Sequence, residues 1–139
     1  MGDNSNIITD MQDYVYSLRR HTIGRRAFHI KLSALERYLQ EPYYRRELAS
    51  ALRPLVQKKG ARLFALPNAD CVGITASATL NDLTAPMRDV HKRLRESEKL
   101  KTLDPVVGAT DWFIEWFDLE QDYGDFAAYT QLLAKQLRS

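Results

Sequence analysis

The middle of the chain combines two short runs of apolar and β-branched residues with a turn signal between them. The runs are Arg62–Leu66 and Cys71–Thr75, and their composition is typical of β-strands. Between them, Pro67 presets φ for a turn and Asn68 tolerates a positive φ. The pattern therefore predicts a β-hairpin in mid-chain, and the helical patterns on either side of it predict helices that cover the sheet.

Periodicity divides the rest of the chain into further helices and strands. In chain order the predicted elements are a helix from Thr9 with Gln12 in a capping box, a strand over Phe28–Leu35, a helix from Pro42, the hairpin, a helix capped by Thr79 with Asp82, a strand at Trp112–Phe117 and a helix from about Asp122. Polar and apolar residues alternate over Phe28–Leu35, which predicts a half-buried strand. The apolar run at Trp112–Phe117 predicts a strand with both faces covered apart from Glu115. Pro54 should kink or split the second helix.

This order of elements defines a fold class. A helix is followed by β-α-β-β-α-β and by a last helix, so we predict an α+β protein. Its sheet should be a ferredoxin-like βαββαβ arrangement covered by helices, with extra N- and C-terminal helices. Residues 1–26 form an N-terminal helix and basic connection in this prediction, and residues 27–139 form the α+β domain. Because unrelated functions share this fold, the fold does not by itself indicate an activity.

The N-terminal helix carries an apolar seam next to a basic segment. The seam residues follow one another at three-four-three spacing from Ile8 to Leu18, a coiled-coil-like pattern that is too short to dimerise alone. The seam either packs on its own domain or belongs to a contact with another chain. For the second alternative, the candidate interface residues are Met11, Val15, Leu18, Arg19, Arg20, Arg25 and Arg26.

Charge is segregated along the chain although the net charge is small. The formal charge of the 139 residues is only +2, which gives no electrostatic reason to expect nucleic acid or an anionic membrane as a partner. The charged residues of Asp104–Asp125 are all acidic, whereas Arg19–Arg26 is basic. These two segments either form complementary faces between subunits or pair within one molecule.

The cysteine content and the hydropathy indicate the cellular compartment in which we expect the protein. Cys71 is the only cysteine, so an internal disulfide is excluded. No run reaches the about 20 apolar residues of a membrane span, and the polar start Met1–Asn6 lacks the form of a signal peptide. We therefore expect a cytoplasmic protein without a membrane span.

With this order of elements, the chain resembles the bacterial GGDEF domain of diguanylate cyclases, a nucleotide-cyclase-like fold, over Ala27–Leu119. In that family the first strand carries an Asp-x-Asp-x-Phe pattern and the hairpin turn carries Gly-Gly-Asp/Glu-Glu-Phe. Lys31–Leu35 lies where the first pattern would be, and Pro67-Asn68-Ala69-Asp70-Cys71 lies where the second would be. The resemblance is carried by the spacing of strand, helix and hairpin and by the apolar positions, and hardly by the signature itself.

Residue by residue, the resemblance argues against catalysis. The turn glycines of the family let the backbone approach a nucleotide phosphate, but here Pro67 has no N–H and Asn68 has a side chain in the way. The family's catalysis also needs carboxylates that hold Mg²⁺ near the transferring phosphate. The matching positions here are Lys31, Ser33 and Ala69, so Asp70 alone is acidic. The resemblance therefore implies a degenerate active site with no catalytic residue, metal or cofactor, and Pro67, Asn68, Ala69 and Asp70 form a vestigial turn.

Other reactive side chains have structural interpretations. The three histidines, His21, His29 and His91, lie far apart and share no helical spacing, so no metal site is expected. Cys71 lies on a predicted strand without a suggested His or Asn partner, which favours a core residue over a nucleophile. The two tryptophans of the last predicted strand are a potential ligand platform, but core packing is favoured in an apolar strand.

We therefore expect a non-catalytic domain that regulates or scaffolds through contact with another protein or through self-association, a homodimer included, in bacterial signalling or localisation. One alternative is a sensor that binds GTP or cyclic di-GMP in a residual pocket. A cyclic dinucleotide is the less favoured partner, because Lys58–Ala61 falls at the family's product-binding Arg-x-x-Asp but lacks its acid and its bidentate guanidinium. A second alternative is an RNA-binding module, which ranks last because Cys71–Thr75 has no aromatic residue for base stacking.

Overall fold

A four-stranded antiparallel sheet forms the centre of the computed structural model, which describes residues 3–139, with side chains from Asn6 onward. The elements are α1 (Asp3–Ser17), β1 (Arg26–Ile30), α2 (Pro42–Lys59), β2 (Arg62–Ala65), β3 (Cys71–Ile74), α3 (Leu80–Arg93), the short α4 (Glu98–Lys101), β4 (Ile114–Asp118) and α5 (Leu119–Arg138). The strands follow the order β2-β3-β1-β4, and every neighbouring pair is antiparallel. The predicted α+β class is confirmed.

Helices cover both faces of the sheet, so the central strand β1 is buried on both sides. Phe28 and Ile30 lie in the core layer with α2 and α3, whereas Ala27 lies in the layer with α1 and α5. β1 ends at Ile30 and is followed by a 3-10 turn at Leu32–Ala34. The prediction of a half-buried strand over Phe28–Leu35 is therefore wrong in burial and in length, because α1 and α5 cover the face that was expected to meet solvent.

The apolar seam of α1 belongs to this second core layer. Met11, Val15 and Leu18 are almost fully buried, and they pack in one cluster with Val72 of β3 and Phe126 of α5. Of the two alternatives for the seam, the structure therefore shows packing on the same chain. These three side chains are core residues, and the proposal that they form an exposed interface is wrong because no surface is left on them for a partner.

Local signals identify some helix ends correctly and others not. Thr79 caps α3 as predicted, and the reciprocal capping box with Asp82 is present. α1 begins well before Thr9, so that predicted start is wrong. The Thr9 hydroxyl instead accepts a hydrogen bond from Arg138 at 2.9 Å and fastens α1 to α5. α2 is not split at Pro54.

The last strand lies at the edge of the sheet and is only partly buried. β4 pairs with β1 alone, and Trp112 precedes it with 40% of its surface exposed. Within the strand, Ile114 is buried and Trp116 is half-buried. Trp116 and Phe117 pack against the two core layers on opposite faces of the sheet, so both faces of the strand are covered as predicted. The predicted strand Trp112–Phe117 nevertheless begins too early and is buried only in part, because β4 lies at the edge of the sheet.

A glycine in β3 makes room for a core aromatic ring. Gly73 pairs with Phe28 across β3 and β1, and a Cβ atom at Gly73 would lie 2.3 Å from Phe28 Cζ. Phe28 is fully buried, and its ring is tilted against that of Trp116 with the centroids 5.7 Å apart. The ring therefore occupies the space that any side chain at position 73 would need.

The N-terminal segment is part of the same packing. Residues 1 and 2, with which the predicted segment 1–26 begins, lie outside the described part of the chain. From residue 3 onward, α1 packs against α5 and β2. In the same part of the chain, no helix combines the length and the apolar character that crossing a membrane requires.

Candidate functional site

The hairpin turn singled out by the sequence is a three-residue loop. Leu66 N donates a hydrogen bond to Asp70 O at 2.9 Å, and Ala69 N donates to Leu66 O at 3.1 Å. Pro67, Asn68 and Ala69 therefore form the loop. The positive φ falls on Ala69, at 81°, and not on Asn68 as predicted, because this loop type places its left-handed residue after the two central residues of a type I turn.

Asp70 is buried, with only 3% of its surface exposed. Its Oδ2 accepts hydrogen bonds from His29 Nε2 at 2.8 Å and from Asn68 Nδ2 at 3.1 Å, and its Oδ1 accepts one from Ser33 N at 2.8 Å. The carboxylate thus connects the hairpin to β1 and to the 3-10 turn that follows β1. The turn Pro67–Asp70 is therefore fixed to its surroundings, and its one acidic group, the Asp70 carboxylate, already accepts three hydrogen bonds within the protein.

His29 extends this network to the C-terminal helix. Its Nδ1 lies 2.5 Å from the hydroxyl oxygen of Tyr129 on α5. As a carboxylate, Asp70 only accepts hydrogen bonds, so the proton between the two residues lies on His29 Nε2. Burial raises the pKa of Tyr129 well above its usual value, so its hydroxyl stays protonated and can donate to Nδ1. We call this set, Asp70, His29 and Tyr129 together with Ser33 N, the buried lock.

The positions that would hold metal in a GGDEF domain are engaged in structural contacts. Lys31 Nζ lies 3.3 Å from Glu115 Oε1 on β4. Ser33 contributes its backbone N–H to Asp70. From residue 3 to residue 139, no three or more His, Cys, Asp and Glu side chains are grouped so that they could hold a metal ion.

The remaining cysteine and histidines lie in different environments. Cys71 is buried, and burial raises the pKa of its thiol to about 12, so the thiolate needed for nucleophilic attack is scarce at neutral pH. His21 is exposed, His29 belongs to the buried lock, and His91 lies on α3. The structure does not bring the three histidines together.

The basic residues of the predicted interface lie at the surface around the connection between α1 and β1. Arg19 stacks on Tyr16 at 4.0 Å, and Arg20 lines a shallow cleft together with Ile23 and Arg25. Arg26 is 3.9 Å from Asp118. The predicted set is thus divided between a buried apolar half and a surface basic half, and part of the segregated charge pairs within the molecule.

A cavity of about 300 Å³ lies between α3, β4 and the loop that precedes β4. Its residues are mostly apolar with a few charged or polar groups: Thr84, Met87, Arg88, His91, Pro105, Val106, Val107, Asp111, Ile114 and Trp116. Met87 and Ile114 belong to the core layer that α2 and α3 cover. The inner wall that they form is therefore continuous with the core and is preformed, whereas Val106 of the loop is 63% exposed.

Three ionisable side chains line this cavity, in addition to Thr84, whose hydroxyl donates a hydrogen bond to Leu80 O. Arg88 is exposed and forms no salt bridge with any described residue. Asp111 Oδ1 accepts hydrogen bonds from Phe113 N and Ile114 N, each at 2.8 Å, which fixes the carboxylate in place. Burial lowers the pKa of His91, against the opposing influence of Asp111, and His91 Nε2 is buried without a partner among the described residues.

Sequence reasoning missed both the partners of Asp70 and this cavity. His29 and Tyr129 are separated by 100 positions, so no local pattern could connect them. The one available signal lay in the helical patterns before the first and after the last predicted strand. Two such helices could cover the second face of the sheet.

Comparison of the chain with protein-family models, with curated proteins and with solved structures finds no match.

Proposed function

We propose that the protein is a degenerate, non-catalytic GGDEF-like domain of a bacterial signalling or localisation system, and that it acts through contact with another protein or with a second copy of itself. The proposal includes a ferredoxin-like sheet. The strand order β2-β3-β1-β4, with α2 and α3 as crossover helices that pack together, supports that assignment.

The observation that carries the proposal is the buried lock. Phosphoryl transfer through a GGDEF-type turn needs a carboxylate that is free to hold Mg²⁺ and a backbone that a phosphate can approach. Asp70 instead accepts three hydrogen bonds within the protein and is withdrawn from solvent. The turn has become a part of the scaffold, which favours a regulatory role over a catalytic one.

The contact surface in this proposal is the basic end of the molecule, defined by Tyr16, Arg19, Arg20 and Ile23. Tyr16 and Ile23 are large apolar residues with 64% and 82% of their surface exposed. Arginine and aromatic residues are enriched in protein interfaces. The surface therefore combines hydrophobic contact area with two positive charges, and it suits an acidic partner surface.

Catalysis is tested by incubation of the purified protein with GTP and Mg²⁺ or Mn²⁺. We expect no cyclic dinucleotide above a blank without protein. Glycines introduced at Pro67 and Asn68 should not create activity, because Lys31 and Ser33 remain at the metal-ligand positions. Product that disappears in the Asp70→Ala variant would show that the turn is catalytic. Saturable binding of GTP or cyclic di-GMP in a calorimetric titration would favour the sensor alternative.

The contact surface is tested by reversal of its charge. The double variant Arg19→Glu, Arg20→Glu should lower the mass measured by light scattering, or lose partner capture, while circular dichroism stays unchanged. Salt should weaken the same contact, since the screening length is about 8 Å at physiological ionic strength. The matched control is Arg46→Glu, Arg53→Glu, which makes the same charge change at exposed positions of α2. A wild-type protein that stays monomeric and captures nothing refutes the proposed contact, and equal effects of both double variants exclude the basic end.

A further inference from the structure

We propose that the cavity between α3, β4 and the loop before β4 binds a free α-amino acid with an apolar side chain, in its zwitterionic form. Arg88 would pair with the carboxylate of the ligand and Asp111 with its ammonium group, while the apolar wall takes the side chain. The inference stands independently of the proposed function, because none of these residues belongs to the basic end or to the buried lock.

The size of the cavity limits the ligand. At about 300 Å³ it is at the small end of the range for small-molecule sites, which is about 300–1,000 Å³. An apolar cavity of about 150 Å³ holds one benzene ring, so this cavity has room for a ring or branched side chain and a short polar group. A cyclic dinucleotide, with two nucleobases and two sugar-phosphates, exceeds this space.

The walls select an apolar group. Met87 and Ile114 are buried members of the core, and Trp116 presents a half-buried indole that packs on Phe28. The pairing of β4 with β1 holds Trp116 in place. A preformed apolar wall of this kind binds a side chain without the cost of ordering its own residues first.

The charges select a zwitterion. Arg88 supplies one positive charge and Asp111 one negative charge, and neither forms a salt bridge within the described part of the chain. The Asp111 carboxylate is held rigidly through Oδ1, and Oδ2 accepts no hydrogen bond from a described residue. A ligand with a single charge would find one opposite and one like charge in the cavity. A ligand with both charges would find a partner for each.

His91 adds no charge to the lining of the cavity. An imidazolium at position 91 would place a buried N–H at Nε2 without an acceptor, and burial lowers the pKa of His91. The ring is therefore neutral at pH 7. The formal charge of the lining is then zero, one positive from Arg88 and one negative from Asp111, which equals the net charge of an amino acid.

The test uses three probes that share a phenyl ring on a two-carbon chain: L-phenylalanine, 3-phenylpropionate and 2-phenylethylamine. Binding is measured by calorimetry, by the combined fluorescence of Trp112 and Trp116 and by backbone amide shifts in NMR spectra. We expect L-phenylalanine to bind about ten-fold more tightly than either singly charged probe, which corresponds to about 1.4 kcal/mol. L-leucine and L-tryptophan are measured as further amino acids, in case the side chain of phenylalanine fits poorly.

Two variants assign the charges to their partners. Arg88→Met should weaken L-phenylalanine about ten-fold while it strengthens 2-phenylethylamine, because the like charge is removed, and Asp111→Asn should weaken L-phenylalanine while it strengthens 3-phenylpropionate. Asparagine keeps the Oδ1 acceptor for the two backbone N–H groups, and circular dichroism checks the fold. If Asp111→Asn does not fold, the crossed response of Arg88→Met decides alone. The matched control is Arg53→Met, an exposed arginine of α2.

Three results overturn the proposal. The first is no binding of any of the three amino acids up to about 10 mM, about ten times a Kd of 1 mM. The second is equal affinity for all three phenyl probes, which would make the cavity an apolar cleft without charge selection. The third is equal loss of L-phenylalanine binding in Arg88→Met and in Arg53→Met, which would make the effect one of net charge only.

Discussion

Replacement of Asp70 by alanine should destabilise the protein much more than an ordinary turn substitution. In most hairpins the residue after the turn is exposed, and its replacement changes the free energy of unfolding by about 0.5 kcal/mol or less. Asp70 is buried instead and accepts hydrogen bonds from His29 Nε2, Ser33 N and Asn68 Nδ2. Alanine at position 70 would leave the first two donors without an acceptor.

The magnitude follows from these contacts. A hydrogen bond to a charged group contributes about 1.5–3 kcal/mol, and a buried donor that loses its acceptor is not rescued by water. Asp70→Ala removes the bonds from the buried His29 Nε2 and from Ser33 N, so we expect a loss of about 3–5 kcal/mol in the free energy of unfolding, from a total of about 5–15 kcal/mol for a domain of this kind. The melting temperature should fall by about 10–20 °C.

Urea unfolding followed by circular dichroism measures this loss, and Asp104→Ala, at an exposed acidic position, is the matched control. Tyr129→Phe removes the other hydrogen bond of His29 and should cost about 1 kcal/mol. In a double-mutant cycle, Asp70→Asn and Tyr129→Phe should be coupled by more than about 0.5 kcal/mol, because both act on the same imidazole. The reasoning is refuted if Asp70→Ala stays within about 0.5 kcal/mol of wild type or if the cycle is additive.

Three further predictions concern other parts of the structure. Met11→Ala should cost about 2–5 kcal/mol in urea unfolding and leave the oligomeric mass unchanged, since Met11 is fully buried within its own chain; a folded variant of altered mass would contradict this. Gly73→Ala should cost about 1–3 kcal/mol by overpacking against Phe28, and Phe28→Leu in the same chain should recover part of it; an additive loss would contradict the steric reason. A hydrogen bond from Ser97 is the main cause that lowers the pKa of Glu36 from 4.5 to about 2. The ionised Glu36 carboxylate should therefore stabilise the fold fully above pH 4.5 and lose this contribution as the pH falls toward 2. The free energies of unfolding of wild type and of Glu36→Gln should converge as the pH is lowered from 4.5 to about 2.

The order of elements could be predicted from the sequence because each element carries a strong local signal. The hairpin, the capping box of Thr79 and the helix that begins at Pro42 are all present in the structure. Each of these signals depends on residues within a few positions of one another: periodicity, caps and turn chemistry. Where the local signals agree with the tertiary structure, no knowledge of distant contacts is needed.

Burial was harder to predict, because it depends on which helix packs on which face. The alternation in β1 predicted that His29 faces solvent, but α1 and α5 form a second layer over that face and bury it. A period-2 pattern cannot distinguish a polar residue in water from a polar residue with a buried partner. The error at His29 also hid its contact with Asp70, 41 positions away.

Ala69 shows how contacts far away in the sequence determine even a local turn. A non-glycine residue in the left-handed region costs about 1–2 kcal/mol relative to the right-handed one, and such a conformation persists only where the surroundings fix it. Here the next residue, Asp70, is held by His29 and Ser33 from outside the hairpin. The three-residue loop places its left-handed residue at Ala69, and these contacts hold the chain where it leaves the loop, so they help this conformation to persist. The attachment of the turn to β1 therefore buries Asp70 and also stabilises the left-handed conformation of the residue before it.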